Sequence, residues 1–209
     1  MIPVKVLAVR YLPGAVPALA EALGAPKGYP CLGMLTTDCD DATYIALDAA
    51  TKAAEVEVAY GRSFYAGAAN ASTPNAGEVI GILAGKTPGA VRSGMEAALG
   101  ALQWLGFEET NKVPYLAHTV SSAGFFLAKE AGVEPGTALA YLIAPPLEAL
   151  YAMDAALKAA DVTLCKLYTP PSETNFGGGL LSGTQSACEA ACVAFAEAVR
   201  EVAARPVEG

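Results

Sequence analysis

The sequence predicts an α/β (α+β) fold made of two similar domains in tandem. Three observations favour it: a duplication inside the chain, an alternation of strand-like and helix-like segments in both halves, and the length. A chain of 209 residues accommodates two domains of about 100 residues each. We expect the domains to cover residues 1–106 and 107–209.

The duplication is clearest in one helix-to-strand segment. Residues 48–56 align with residues 154–162 at a shift of 106, with seven of nine positions identical and one acid-for-acid exchange. Alanine bias does not explain the match, because the charged positions and the valine also keep their places. A period this long exceeds that of solenoid repeats and indicates two copies of one domain. The copies are expected to join in the short polar stretch 102–111.

Periodicity predicts the same order of elements in both copies. Alternating apolar residues predict strands, and alanine-rich stretches with helical spacing predict helices. In the first half the predicted strands are 4–9, 32–36, 55–60 and 78–83, and the helices are 15–23, 44–54 and 90–102. In the second half the strands are 115–120, 138–144, 162–168 and 179–181, and the helices are 126–131, 150–160 and 186–204.

The composition indicates burial against other subunits. Apolar residues make up 54% of the chain and charged residues 16%, against a usual charged share of about 25%. So few charges coat an isolated small domain poorly. Membrane insertion is the competing explanation, but no stretch approaches the roughly 20 apolar residues that a bilayer span requires.

Several partner classes are disfavoured by simple counts. The first ten residues lack the order of a signal peptide, so the chain is expected in the cytosol. Its five cysteines have no framework spacing and are expected to be reduced. The net charge of −8 argues against nucleic acid, whose phosphates require a basic surface. No cofactor and no metal ion are expected.

Three motifs of the kind found in enzymes have simpler interpretations. Residues 81–87 resemble a phosphate loop, but only three residues separate the glycines and Pro88 follows, so a strand-ending turn is favoured. His118, the single histidine, lies in a predicted strand without a nucleophile elbow, which favours a structural role. Cys188 and Cys192 share one helical face, and a buried face is favoured over a metal or redox pair.

The acidic run Asp38, Asp40 and Asp41 is harder to explain, because crowding three carboxylates within four residues is costly. Helix capping by Asp40 or Asp41 is the favoured interpretation. It leaves Asp38 and one neighbour unexplained, so binding of an organic ammonium and, less favoured, of a metal ion stay open.

Two long segments, 60–78 and 169–179, occupy corresponding places in the two halves. Both join aromatic residues to glycine-rich backbone. Solvent-exposed connection is the simple interpretation. The composition also suits a gate.

The repeated Asp-Ala-Ala-x-Lys-Ala-Ala-acid-Val run resembles the helix-to-strand signature of bacterial microcompartment shell domains. Residues 40–46, 60–69 and 170–176 are similar to the ethanolamine-utilisation L type of shell protein, and the likeness spans essentially the whole chain. The resemblance implies circularly permuted, ferredoxin-like microcompartment domains in a homotrimer that imitates a hexamer. It also implies a structural rather than enzymatic role in a shell in the bacterial cytoplasm, with lateral contacts to other shell proteins.

The same resemblance implies two kinds of passage for metabolites. Small pores bind ethanolamine between acidic side chains, and the matching residues are Asp40 and Glu78, with Trp104 as the match for an aromatic contact. A central pore is opened and closed by residues 61–75 and 170–179. The gating residues implied are Phe64, Tyr65, Asn70, Asn175, Phe176, Gly177, Gly178 and Gly179.

A rival hypothesis comes from a different class of protein. A cytosolic enzyme or small-molecule-sensing regulator could be built from two ferredoxin-like halves. It predicts a discrete oligomer and a closed pocket that contains titratable groups with perturbed pKa values.

Overall fold

The computed structural model describes residues 1–64, 75, 77–170, 172 and 174–207. The chain divides into two compact units. The first unit contains Pro3–Gly106 together with Gly124–Leu127, and the second contains Met1–Ile2, Phe107–Ala123 and Ala128–Gly209. The predicted limits of the two shell-domain copies, 1–106 and 107–209, stay a prediction.

The first unit is built on a four-stranded antiparallel sheet. Its strand order is β2-β3-β5-β4, and helices α2 and α3 pack against it and against each other. Its elements are β2 (Val6–Leu12), α1 (Pro17–Ala22), β3 (Cys31–Thr37), α2 (Asp40–Ala53), β4 (Val56–Ser63), β5 (Val79–Gly85) and α3 (Pro88–Leu102).

The two faces of this sheet are covered differently. On one face, the buried side chains of Leu32 and Ile82 form a small core with Ala20 of α1. On the other face, Gly33 allows close approach of α3, because a Cβ there would lie only 2.8 Å from Cγ1 of Val91. The alternation of strand side chains thus assigns one apolar layer to each face.

The second unit repeats this order of elements. Its strands belong to a six-stranded sheet with the order β1-β6-β7-β8-β10-β9, in which β6 to β10 pair antiparallel. The remaining elements of the chain are β1 (Ile2–Pro3), β6 (Gly106–Thr110), β7 (Val113–Val120), α4 (Phe125–Ala131), β8 (Ala138–Ala144), α5 (Pro146–Ala159), β9 (Val162–Tyr168), β10 (Gly177–Gly183) and α6 (Gln185–Ala204).

Small side chains dominate the helical layer of the second unit. Phe195 of α6 is completely buried and is surrounded by alanine-rich faces of α5 and α6. Each alanine buries little apolar area, at roughly 25 cal/mol per Å², but the short side chains let the helices pack closely against the sheet. The buried alanines of this layer are Ala149, Ala152, Ala156, Ala191, Ala196 and Ala198.

The predicted fold class and the duplicated order of elements are confirmed, with element ends shifted by a few residues. The stretch 102–111, predicted as a polar join between the two copies, is instead partly a β-strand. It contains β6, which pairs with β7 through a hairpin whose turn residues Asn111 and Lys112 have φ angles of 48° and 65°. A two-residue turn with both φ angles positive matches the twist of the strands.

The enzyme-like motifs lie in the elements predicted for them. β5 ends at Gly85, and the Thr87 hydroxyl accepts a hydrogen bond from Ala90 N (3.1 Å) at the start of α3. His118 lies in β7, and Cys188 and Cys192 are buried on α6. All five cysteines are free. Among the described residues, no helix is both long and apolar enough to cross a membrane.

Candidate functional site

The acidic run lies at the start of α2, where its carboxylates are withdrawn from solvent. The helix begins at Asp40, four residues before the predicted start, and Asp40 and Asp41 are 8% and 7% exposed. The N-cap residue is Cys39, and it makes no side-chain capping bond. Neither Asp40 nor Asp41 is the N-cap residue, as the favoured interpretation had it, because both belong to the first helical turn; there their charges complement the helix dipole, and Asp40 accepts a backbone N–H bond as predicted.

The Asp40 carboxylate accepts hydrogen bonds on both oxygens. Oδ1 accepts from the Asp41 backbone N–H (2.8 Å), and Oδ2 accepts from the Ser63 hydroxyl (2.6 Å). Tyr44 Oη lies 2.6 Å from Ser63 Oγ. Because Ser63 gives its single hydrogen to Asp40, the Tyr44 hydroxyl is the donor to Ser63. A directed chain of hydrogen bonds therefore runs from Tyr44 through Ser63 to Asp40.

Glu78 lies beside this chain, immediately before β5. Its backbone is fixed on both sides: its N–H donates to Thr37 O (2.7 Å), and its carbonyl accepts from Phe64 N (2.8 Å). The Asp40 backbone lies near its carboxyl group and favours the ionised form, which lowers the pKa of Glu78. We name Asp40, Ser63 and Glu78 the acidic site.

The negative charge of the buried Asp40 disfavours ionisation of the half-buried Glu78 beside it. Burial, reinforced by the charges of Asp40 and Asp38, raises the pKa of Glu78 to about 7. Burial also raises the pKa of Asp40, against the opposing hydrogen bond from Ser63. Raised carboxyl pKa values mean that negative charge is under-compensated here. A cation that binds both groups would relieve this.

Asp38 and Cys39 have secondary roles around the site. Asp38 Oδ1 accepts from the Lys5 backbone N–H (2.7 Å), which ties the run to the chain before β2. Burial raises the pKa of the Cys39 thiol, so it stays protonated at neutral pH. Within the described residues, no group of three or more His, Cys, Asp and Glu side chains is arranged to hold a metal ion.

Trp104, the predicted aromatic contact, lies in the turn after α3. Its side chain is 80% exposed, and its backbone N–H donates to Ala101 O (3.0 Å). No ring contact or hydrogen bond described for Trp104 joins it to Asp40 or Glu78. The structure thus brings two of the three predicted ligand residues together.

The predicted gating residues are distributed over a loop and a strand. Phe64 follows β4 directly, whereas Tyr65 and Asn70 lie outside the described residues. Asn175 has a φ of 65°. The Phe176 ring contacts the Phe107 ring, with centroids 5.7 Å apart.

Gly177, Gly178 and Gly179 lie in strand β10, not in the loop before it. β10 pairs with both β8 and β9 along this stretch. Gly178 has a φ of 142°, and a Cβ at this position would collide with the carbonyl oxygen of Leu142. Close backbone packing in the sheet is a sufficient reason for glycine here. A role in gating stays a prediction for these residues.

Two residues of the site were not predicted from the sequence. Ser63 hydrogen-bonds Asp40 and Tyr44 hydrogen-bonds Ser63; both lie in segments that carry the family resemblance, but neither was predicted as a site residue. Tyr44 lies four residues after Asp40 on the same helix, a spacing that places both side chains on one face. That spacing was the available signal. Ser63 comes close only through the pairing of β4 with β5.

Comparisons with known proteins agree with these features. The model of the BMC domain matches residues 31–114. The bacterial microcompartment shell protein EutL of Clostridium perfringens is 56% identical over 207 residues, covering 97% of this chain and 95% of the relative. EutL of Escherichia coli is 46% identical over 210 residues, with 98% and 95% covered.

A solved structure extends the likeness to three dimensions. The crystal structure of the ethanolamine utilization protein EutL from Leptotrichia buccalis superposes with a TM-score of 0.97 at 56% sequence identity. The match covers 100% of this chain and 98% of that one. The chain belongs to the EutL family of bacterial microcompartment shell proteins, and its role is structural rather than enzymatic.

Proposed function

We propose that three copies of the chain form a pseudohexameric tile of an ethanolamine-utilisation microcompartment shell. The tile would carry a gated central pore and small acidic pores that bind ethanolamine. It would lie in the bacterial cytoplasm and contact other shell proteins laterally. The shell-domain copies would be residues 1–106 and 107–209. The observation that carries the ligand proposal is the pairing of the Asp40 and Glu78 carboxyl groups at one half-buried place.

Ethanolamine matches this place chemically. Its ammonium group offers three hydrogen-bond donors and one positive charge, which two carboxylates can satisfy together. Both Asp40 oxygens already accept one hydrogen bond each, and each has capacity for a second. The ligand hydroxyl can both donate and accept. A neutral ligand would leave the repulsion between Asp40 and Glu78 in place.

The position of the acidic site supports a link to the gate. Ser63 ends β4 and Glu78 precedes β5, so both lie at the two ends of the segment that connects these strands. The backbone bond between Phe64 N and Glu78 O (2.8 Å) joins the same two ends. A ligand held by Glu78 and by Asp40, to which Ser63 donates a hydrogen bond, would therefore bias the conformation of the connecting segment. The bias is limited to the difference in ligand affinity between the two gate states.

Exposed apolar side chains support assembly into an oligomer. On α5, Leu147, Leu150 and Tyr151 are 63%, 47% and 45% exposed and share one helical face. On α1, Leu19 is 47% exposed and Val16, just before the helix, is 68% exposed. Apolar patches of this kind mark contacts between proteins.

Calorimetric titration of ethanolamine at pH 8 tests the ligand proposal. Each of Asp40→Asn and Glu78→Gln removes one charged partner. Loss of a charged hydrogen bond costs about 1.5–3 kcal/mol, so we expect a roughly 10- to 100-fold weaker affinity. Glu57→Gln, an exposed glutamate on β4, is the control and should bind like the wild type. Unchanged affinity in both site variants would remove these residues from the site.

A further inference from the structure

A short segment of the chain docks on helix α2 of the first unit. In the part of the chain that the structure describes, the equivalent face of α5, the counterpart of α2, is exposed. The segment Gly124–Leu127 belongs to the first unit although it lies far along the sequence. Asp48, which is completely buried, accepts hydrogen bonds from Gly124 N (2.7 Å) and Leu127 N (2.9 Å). The segment is thus held by a specific contact.

Two further contacts complete this docking. The Phe125 backbone N–H donates to the Thr51 hydroxyl (3.2 Å). The Phe126 ring meets the Tyr44 ring, with centroids 6.0 Å apart. Leu127 is only 1% exposed. One helical face of α2, with Tyr44 and Thr51 at its ends, therefore receives the segment.

The duplication identifies the counterparts of both partners. The shift of 106 residues that relates α2 to α5 pairs Tyr44, Asp48 and Thr51 with Leu150, Asp154 and Leu157. We name these last three residues the α5 face. The chemistry of this face is mostly apolar, with one carboxylate at its centre.

The segment Gly124–Leu127 corresponds to residues of the first copy at a shift of 108. Positive-φ glycines recur at this spacing, with Gly24 paired with Gly132 and Gly28 with Gly136. The bond from Gly24 N to Glu21 O also has its equivalent, at the same shift, in the bond from Gly132 N to Lys129 O. The counterpart of Gly124–Leu127 is therefore residues 16–19, which we name the docking segment.

Both counterparts are exposed where the originals are buried. Leu19 is 47% exposed, against 1% for its equivalent Leu127. The side chain of Asp154 is 65% exposed, against 0% for Asp48. Leu150 is 47% exposed. Two surfaces that fit each other in one copy of the duplication are left uncovered in the other.

One pair of substitutions between the copies is matched across this contact, although Val16 stands where Gly124 has no room for a Cβ, which would lie 2.7 Å from the Asp48 backbone oxygen. Thr51 supplies an acceptor to the Phe125 N–H. At the equivalent positions, Leu157 has no hydroxyl and Pro17 has no N–H. The donor and the acceptor are thus absent together, so pairing the two surfaces would leave neither group buried without a partner.

From this correspondence we infer that the docking segment of one copy of the chain binds the α5 face of a second copy. Leu19 covers Leu150, while Asp154 lies near the backbone of residues 16–19. Because the two surfaces differ, the contact is heterologous. Such a contact forms a closed ring of three when each subunit is rotated by about 120° from the next. The inference rests on the proposed trimer and names the surfaces that would hold it together.

Analytical ultracentrifugation of Leu19→Asp and Leu150→Asp tests the contact. Each substitution buries a charge against an apolar surface. We therefore expect the dissociation constant of the assembly to increase by about 100-fold or more, so that each variant is monomeric where the wild type is assembled. Val193→Asp, at an exposed valine on α6, is the matched control and should remain assembled. Melting curves would verify that each variant is folded.

Mixing the two variants provides a second measurement. Each retains one intact surface, so an equimolar mixture should form a heterodimer through one wild-type contact, while either variant alone stays monomeric. If the wild type is a trimer and both single variants are trimers too, the proposed contact surface would be overturned, but the trimer would not. A wild-type monomer would overturn the trimer of the proposed function as well.

Discussion

The carboxyl group of Glu78 is subject to two opposing influences, and their balance has a functional consequence. Burial and the charges of Asp40 and Asp38 raise its pKa to about 7, while the Asp40 backbone N–H favours the ionised form. The empty site therefore exchanges a proton near neutral pH. An ammonium ligand favours the ionised form and releases that proton on binding.

From this balance we predict that ethanolamine affinity increases between pH 6 and pH 8. The ligand, an amine with a pKa far above this range like that of lysine, stays cationic throughout. Glu78 changes from largely protonated to largely ionised, so the affinity should rise by about tenfold. Titration calorimetry in two buffers of different ionisation enthalpy would also detect the released proton.

Glu78→Gln should abolish this pH dependence, because the amide does not titrate. Glu57→Gln should retain it. A pH-independent affinity in the wild type would contradict the role assigned to Glu78, even if the ligand binds.

Identical residues in the two copies illustrate what the sequence cannot reveal. Asp48 and Asp154 occupy the same place in the repeated motif, and each pairs with a lysine four residues later. Asp48 is buried under the segment Gly124–Leu127, whereas Asp154 is exposed. The difference arises from a partner distant in sequence, so local pattern predicts the helix but not the role.

At the scale of elements, prediction was good where periodicity is strong. β8 and β9 have the predicted ends, because both are continuous runs with clear boundaries. Helix starts were less accurate: α2 and α5 each begin four residues earlier than predicted. The aspartates of α2 looked like a cap but lie in the first turn. In α5, Pro146 occupies the first helical position, where proline is favoured, four residues before the predicted start.

The strand β6 was missed for a different reason. Its residues include Glu108 and Glu109, and their polarity indicated a linker. The pairing with β7 becomes possible only through the turn at Asn111 and Lys112. Asn is favoured at such a turn, but the usual following glycine is replaced by lysine. The hairpin signal was therefore weak.

A substitution in β10 separates a structural from a gating role for its glycines. In Gly178→Ala, the new Cβ would meet the Leu142 carbonyl of β8, at a φ of 142° that alanine rarely adopts. We expect a loss of about 2–4 kcal/mol in the free energy of unfolding, measured by chemical denaturation.

Gly100→Ala is the control for this substitution. Gly100 lies within α3 with no atom near its missing side chain, so alanine there should stabilise the chain by up to about 1 kcal/mol. If Gly178→Ala left the stability unchanged, close strand packing would not be the reason for glycine at this position.

At the scale of the whole molecule, the composition and the surface describe the same property. Charged residues make up only 16% of the chain, and large apolar side chains remain exposed on α1 and α5. Family membership accounts for this, because a shell protein is covered by its neighbours. Under the proposed function, the acidic site differs from this surface, because its charge would be balanced by a ligand rather than by a protein partner.

The gate proposal makes a prediction that involves both segments at once. Hydrogen exchange, measured by mass spectrometry with and without saturating ethanolamine, reports on peptides that cover residues 60–80 and 168–180. Because Glu78 and Ser63 lie at the ends of the first segment, ligand binding should slow exchange there. A tenfold preference for one gate state, about 1.4 kcal/mol, would slow exchange up to tenfold in the amides that the gate protects.

If one gate contains both segments, residues 168–180 must respond to the ligand although Asp40, Ser63 and Glu78 all belong to the other copy of the duplication. Glu78→Gln should abolish the response of both peptides together, and Glu57→Gln should abolish neither. A response confined to residues 60–80 would contradict a single gate. Ligand binding would then affect only the segment that connects β4 and β5. Equal protection of both segments, lost together in Glu78→Gln, is the result that a two-state pore requires.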